Sequence, residues 1–167
     1  MLGGVPMVTA LTCGLHAPRS RGHVGIRSSD PSIRPHVDLG LLREPADVAL
    51  LVDGLRRCWE VAQGDEMSAL TSSLALLEPA SFDDDDVLAG YVRSMVAPWY
   101  HASGTCRMGA GSDDGAVVDG DLRVRGVDGL RVVDASVLPT IPRAPTNLTV
   151  IAVAERAAEL IRETETT

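Results

Sequence analysis

Aromatic residues are scarce in this sequence, at 3 % of 167 residues. The hydrophobic share is nevertheless 45 % and the charged share 23 %, close to the ordinary mixture of a globular protein. The composition therefore indicates a folded protein, and the core must be built mainly from aliphatic side chains. A chain of this length is sufficient for one domain, or for a domain with part of another.

Basic residues are fewer than acidic ones: 15 Lys and Arg against 23 Asp and Glu give a formal net charge of −8. An acidic surface repels phosphate backbones and anionic lipid headgroups, so neither nucleic acid nor a membrane is an expected partner. The apolar opening of the sequence has no basic leader and is too short to span a bilayer. It is interpreted as a strand.

Cysteines are also few, and Cys13, Cys58 and Cys106 form no CxxC motif and no Cys/His pair with metal-binding spacing. We therefore predict reduced thiols, a cytoplasmic location and no metal site. The run of four aspartates at 83–86 lacks the alternating ligands, the Gly and the Glu of a calcium loop, and is interpreted as the start of a helix. No GxGxxG, P-loop or GxSxG motif is present, so the chain shows no pyrophosphate loop of its own.

Apolar spacing predicts three helices. The first covers 45–62, with Pro45 suited to the first turn and Gly64 beyond the end. The second begins near 83–86, and the third runs from Thr149 to about Glu163. The third is apolar on nearly all sides in its first half, which predicts burial between layers. The residues expected to be buried on the second helix are Val87, Leu88, Tyr91, Val92 and Met95.

Strand patterns predict the rest of an α+β fold. Residues 5–13 and 21–28 are interpreted as two sheet strands joined by a loop. Two shorter strands are expected at 122–124 and 130–133, separated by a glycine-containing turn. The fold class expected is an antiparallel sheet with flanking helices, followed by a strand-helix segment at the C-terminal end.

Few residues suggest chemistry by themselves. His101 precedes Gly104 and Thr105, and imidazole suits proton transfer near neutral pH, although a lone histidine is more often structural. The other three histidines, His16, His23 and His36, are expected to have no partners. Asp134 follows a predicted strand end, where backbone donors often face a ligand. Asn147 either caps the final helix, which the residues alone favour, or contacts an anionic ligand there.

Two longer segments carry a resemblance to a known family. Residues 99–109, WYHASGTCRMG, and residues 122–161, which contain VVDASVLP and PTNLTV, resemble the C-terminal signature of the glucose-methanol-choline oxidoreductases. The earlier PRSRG at 18–22 and SSDP at 28–31 are similar to the start of the same region. The PRA tripeptide at 142–144 is most similar to the bacterial alcohol-dehydrogenase branch, including mycofactocin-associated members.

The resemblance implies an FAD enzyme that oxidises CH–OH groups of a small-molecule alcohol. His101 would accept the hydroxyl proton while a hydride passes to the flavin. Asp134 and Ala135 match cofactor-contacting positions, and Asn147 with Leu148 matches the segment near the pyrimidine end of the flavin ring. On this basis 1–98 is expected to belong to the substrate domain, 99–163 to complete the FAD domain and the active site, and 164–167 to be a frayed tail.

The sequence departs from the family pattern in two ways. Pro145 occupies a position where the family usually has His or Asn, so one side-chain donor is missing. The family's long N-terminal FAD-binding portion would precede the residues seen here, so FAD binding is expected to require that region, either in the same chain or as a separate chain. The alternatives are a non-catalytic remnant that binds another chain, and an inactive, unfolding-prone product.

Overall fold

The structure, a computed structural model, describes residues 10–70 and 77–165. Within these ranges the chain forms two compact units. The first unit contains the described residues of 1–15 and 42–96, and the second contains those of 16–41 and 97–167. The described part combines helices with a small antiparallel sheet, which confirms the predicted α+β class.

The first unit is helical. Helix α1 spans Pro45–Gln63, α2 spans Asp65–Leu70 and α3 spans Asp85–Met95, with a 3₁₀ turn at Pro79–Asp83 between the last two. Helix α1 is the helix that apolar spacing predicted, with proline in its first turn and Gly64 just after its last residue. The predicted start of α3 is also confirmed, because Asp84 accepts hydrogen bonds from the backbone N–H of Asp86 (2.9 Å) and Val87 (3.2 Å) as the N-cap.

The core of the first unit lies between α1 and α3. Its buried members are Leu42, Val48, Val52, Leu88 and Val92. The prediction that Val87 and Met95 are also buried is wrong, since their side chains are 46 % and 56 % exposed. Leu88 and Val92 stand four residues apart and so share one helix face, and that face alone packs on α1.

The second unit contains the sheet. Strand β1, His23–Gly25, pairs antiparallel with β2, His36–Asp38, with His23 opposite Asp38 and Gly25 opposite His36. The predicted strand at 21–28 is therefore present but shorter, and it pairs with β2. Residues 10–13 are not a strand, and 5–9 lie outside the described residues.

Between 97 and 146 the chain is mostly irregular. Val118 forms isolated bridges with Met108 and Val124, and Arg123 forms one with Arg131. The predicted strands at 122–124 and 130–133 are thus reduced to single bridges. Leu122 has φ of 65°, which interrupts an extended conformation at the start of the first of these segments. A core of Val118, Leu122, Val137 and Ala157 holds this region together.

Helix α4 closes the second unit and spans Asn147–Glu165. It begins two residues earlier than predicted. Of its apolar side chains Ala157 is buried, whereas Leu148 is 77 % and Ile151 50 % exposed. Burial between layers is therefore not seen in this chain alone, because the small core of the second unit contacts only part of the surface of α4. In the part of the chain that the structure describes, no helix is both long and apolar enough to cross a bilayer.

Candidate active site

The segment that contains His101 runs beside a short 3₁₀ turn, Ala135–Val137. Three backbone hydrogen bonds connect them: Gly104 N–H to Ala135 O (3.4 Å), Cys106 N–H to Ser136 O (3.0 Å) and Met108 N–H to Val137 O (2.8 Å). Two regions that the sequence singled out separately are therefore neighbours. Residues about thirty positions apart in the sequence are aligned by backbone hydrogen bonds and not by side-chain packing alone.

Glycine is required at position 104 for this approach. Its φ of 86° is a conformation that side chains disfavour, and an added Cβ would lie 3.3 Å from Leu138 O. Tyr100, directly before His101, has φ of 59° and is 94 % exposed. Positive φ values are uncommon in residues other than glycine, and such residues are concentrated at functional sites. The backbone therefore adopts an unusual conformation on both sides of His101.

His101 is linked to the start of α4 through a side-chain contact. Its Nδ1 lies 3.1 Å from the hydroxyl oxygen of Thr146, a residue that is only 6 % exposed. The backbone oxygen of Thr146 accepts from Val150 N–H at 2.9 Å in the first turn of α4. Thr146 therefore belongs to the helix start through its backbone and to His101 through its side chain.

Asp134 has a structural role in the described residues. Its carboxylate accepts a hydrogen bond of 2.7 Å from Ser136 N–H and so caps the 3₁₀ turn. The residue is exposed, while Ala135 is half-buried. The turn that presents these two residues is the one to which the His101 segment is bonded.

Asn147 and Leu148 form the first turn of α4 and are both exposed. Because the helix begins at Asn147, the interpretation of Asn147 as its cap is wrong; Thr146 is the residue before the helix. Backbone N–H groups in a first helical turn have no carbonyl within the helix to accept them. The exposed start of α4 therefore offers backbone donors, and the positive end of the helix dipole, to an external acceptor.

A charged network, which the sequence reading missed, fixes the loop after the His101 segment. Arg107 forms a two-bond ion pair with Asp113, with Nη2 to Oδ1 at 2.8 Å. This pair lowers the pKa of Asp113 to about 2, mainly through the hydrogen bonds from Arg107. Arg125 donates to the backbone oxygens of Asp113 and Gly109, each at 2.8 Å. The sequence offered one indication that Arg107 has a structural role, namely its position inside the 99–109 motif.

The remaining histidines are not isolated, contrary to expectation. The His23 and His36 ring centroids lie 5.1 Å apart, and His23 Nδ1 is 3.7 Å from Asp38 Oδ2. His16 packs edge-on against Trp99, with centroids 6.4 Å apart. The pairing of β1 with β2 brings the first group together, and residues 23 and 36 are too far apart in sequence for spacing alone to reveal it.

The sequence profile of the GMC oxidoreductases, the glucose-methanol-choline family, matches residues 18–154. This chain belongs to that family. The matched region includes His101, the turn at Ala135–Val137 and the start of α4, so the geometry described above is the family's C-terminal region. The resemblance seen in the sequence is confirmed.

Curated relatives agree with this assignment. A GMC-type oxidoreductase of Mycobacterium tuberculosis is 41 % identical over 150 residues, which are 89 % of this chain and 28 % of the relative. An alcohol dehydrogenase [acceptor] of Pseudomonas putida is 37 % identical over 144 residues, covering 86 % of this chain and 26 % of that protein. The chain thus spans little more than a quarter of the length of these relatives.

Solved structures give the same result. A fungal aryl-alcohol oxidase matches with a TM-score of 0.82 and 34 % identity, covering 92 % of this chain and 25 % of the other. An FAD-dependent oxidoreductase from Chaetomium thermophilum matches with a TM-score of 0.82 and 29 % identity, covering 90 % of this chain and 26 % of the other. Both likenesses concern the same region of a longer protein.

Proposed function

We propose that this chain supplies the active-site region of an FAD-dependent oxidoreductase that acts on the CH–OH group of a small alcohol. The observation that carries the proposal is the contact of 3.1 Å between His101 Nδ1 and Thr146 Oγ1. It joins the histidine of the 99–109 motif to the helix start where cofactor contacts are expected.

His101 acts in this proposal as the proton acceptor. With Nδ1–H donating to the Thr146 oxygen, the lone pair of Nε2 is available to receive the proton of the substrate hydroxyl. Bound FAD supplies the hydride acceptor. Thr146 holds the imidazole ring in one orientation, which positioned proton transfer requires.

Four residues would hold the cofactor in addition. Asp134 and Ala135 present the turn that is bonded to the His101 segment, and Asn147 with Leu148 presents the first turn of α4. The positive end of the α4 dipole stabilises negative charge near these N–H groups. Pro145 has no side-chain donor, so the orientation of a substrate oxygen falls to His101.

A chimera tests this function. In it the chain replaces the matching region of the P. putida alcohol dehydrogenase, and the rate of flavin reduction by an alcohol is measured without oxygen. His101→Ala should slow reduction by about 10²–10⁴-fold, the usual cost of losing a general base, with flavin content retained. His16→Ala, at an exposed histidine against Trp99, is the control and should leave the rate unchanged. A His101→Ala chimera that reduces flavin as fast as its parent would refute the assignment.

Binding to another chain without catalysis is the second candidate, and the exposed apolar residues of α4 favour it. Supplying the rest of the P. putida enzyme as a separate chain distinguishes the two. Restored flavin reduction supports the split enzyme; stable association without flavin reduction supports the binding role.

The free thiols of Cys13, Cys58 and Cys106 support the proposed cytoplasmic location.

A further inference from the structure

We propose that His23, His36 and Asp38 bind a divalent transition-metal cation on one face of the β1–β2 hairpin. One ligand atom from each residue lies within 4.8 Å of the other two. Two imidazole nitrogens and one carboxylate are a ligand set that zinc accepts, with a fourth position left for water. The site is formed by the hairpin and uses none of the residues proposed for catalysis.

The register of the hairpin places all three side chains on the same face. His23 is directly opposite Asp38, and His36 is directly opposite Gly25. Residues two apart on a strand share a face, so His23 joins Gly25, and His36 joins Asp38. Gly25 contributes no side chain, and nothing lies within 4 Å of the position that its Cβ would occupy. Space beside His36 is therefore open to a cation.

The ligands need only a small movement to close on a metal. Zinc–nitrogen bonds of 2.0–2.1 Å place tetrahedral ligand atoms roughly 3.3 Å apart. The His23 side chain is 59 % exposed and can rotate towards its neighbours. Asp38 is already oriented, since its Oδ1 accepts a 2.8 Å hydrogen bond from Gly40 N–H. A hydrogen bond of this kind, from an outer group to a ligating carboxylate, is how metal sites orient their ligands.

Arg27 competes with the cation for His36. Its Nη2 lies 2.7 Å from His36 Nδ1, and since guanidinium only donates, that ring nitrogen carries no proton. An imidazole that binds metal through one nitrogen carries a proton on the other. The Arg27 bond is therefore incompatible with metal at either nitrogen of His36. Binding must displace Arg27, and removing Arg27 should strengthen it.

Calorimetric titration of the 167-residue chain with zinc tests the proposal. We expect one zinc per chain, with His23→Ala and His36→Ala each weakening binding by about 10–100-fold or more, since the loss of even an outer partner costs that much. Arg27→Ala should tighten binding by about 2–10-fold, the equivalent of one net hydrogen bond. His16→Ala and Arg34→Ala are the matched controls and should change nothing.

The Arg27→Ala arm remains informative even if a histidine variant folds poorly, because a damaged protein does not gain affinity. Cobalt provides a second readout: a thiolate ligand adds a strong near-ultraviolet charge-transfer band, which should be absent. Unchanged affinity in Arg27→Ala would overturn the proposal. So would zinc binding that survives both histidine substitutions, or a thiolate band, which would place the metal at a cysteine.

Discussion

Thr146 illustrates how one buried hydroxyl can determine the chemistry of a neighbour. A threonine hydroxyl can donate or accept, and the tautomer of His101 follows from the choice. Only with Nδ1–H donating to Thr146 does Nε2 keep the lone pair that a base needs. We therefore assign Thr146 as a positioning residue for His101, an assignment that rests on the proposed function.

Thr146→Val should keep the shape of the side chain and remove the hydrogen bond. In the chimera described above, we expect the rate of flavin reduction to fall by about 10-fold, the equivalent of one hydrogen bond worth about 1.4 kcal/mol, with flavin content unchanged. Thr146→Ser retains the hydroxyl and should preserve most of the rate. The measurement is single-turnover flavin reduction as a function of pH, because a displaced tautomer also shifts the pH profile. Equal losses in the Val and Ser variants would indicate a packing role only.

At the level of elements, the helices were predictable and the strand pairings were not. Helix α1 follows from the apolar spacing within its own 19 residues. Asp84 caps α3 because aspartate is preferred at the residue before a helix, where its carboxylate accepts hydrogen bonds from the first turn. The pairing of β1 with β2 joins strands of three residues each, too short for a pattern to specify a partner. The strand predicted at 122–124 is reduced to isolated bridges, and nothing in the sequence indicates that Leu122 adopts φ of 65°.

The same distinction applies to the candidate site. His101 was singled out by its residue type and by the motif around it, both of which the sequence contains. Its contact with Thr146 spans 45 positions and depends on how the irregular segment returns to α4. The helix start differs from the prediction by two residues, and that shift turned Asn147 from a cap into a first-turn residue.

The ion pair of Arg107 with Asp113 gives the loop after the motif a defined dependence on pH. The pKa of Asp113 is lowered to about 2, whereas an unfolded aspartate has a pKa of about 3.9. The unfolded chain therefore binds more protons between these values. The stabilisation is complete above about pH 4 and is lost as the pH falls towards 2.

Asp113→Asn should flatten this part of the stability profile. In urea unfolding at a series of pH values, the slope of the unfolding free energy between pH 4 and 2 should decrease by the equivalent of a fraction of a proton. Arg107→Met should have a similar effect, because the bonds from Arg107 are the main cause of the lowered pKa. A slope as steep as the parent's in both variants would show that the pair does not persist in solution.

For the whole molecule, the most informative surface is the apolar stripe on α4, which comprises Leu148, Ile151, Ala154, Ala158 and Ile161. All five are exposed, and their spacing of three to four residues places them along one side of the helix. Val153 and Ala157, in contrast, pack in the core of the second unit. A long apolar stripe in water indicates a surface that another protein surface covers. The chain spans about a quarter of its relatives, whose remaining portion is the proposed occupant.

We predict that the isolated chain associates with itself through this stripe. Sizing chromatography should show elution that depends on concentration, and a hydrophobic dye should fluoresce on binding. Ile151→Glu places a charge in the middle of the stripe, so it should shift the chain towards monomer and reduce dye binding. Leu70→Glu is the matched control, because Leu70 is 82 % exposed yet lies on α2, outside the stripe, so it should leave association unchanged.

A parent chain that is monomeric at every concentration and binds no dye would show that α4 needs no partner. Equal relief of association by both charges would attribute the effect to net charge and not to the stripe.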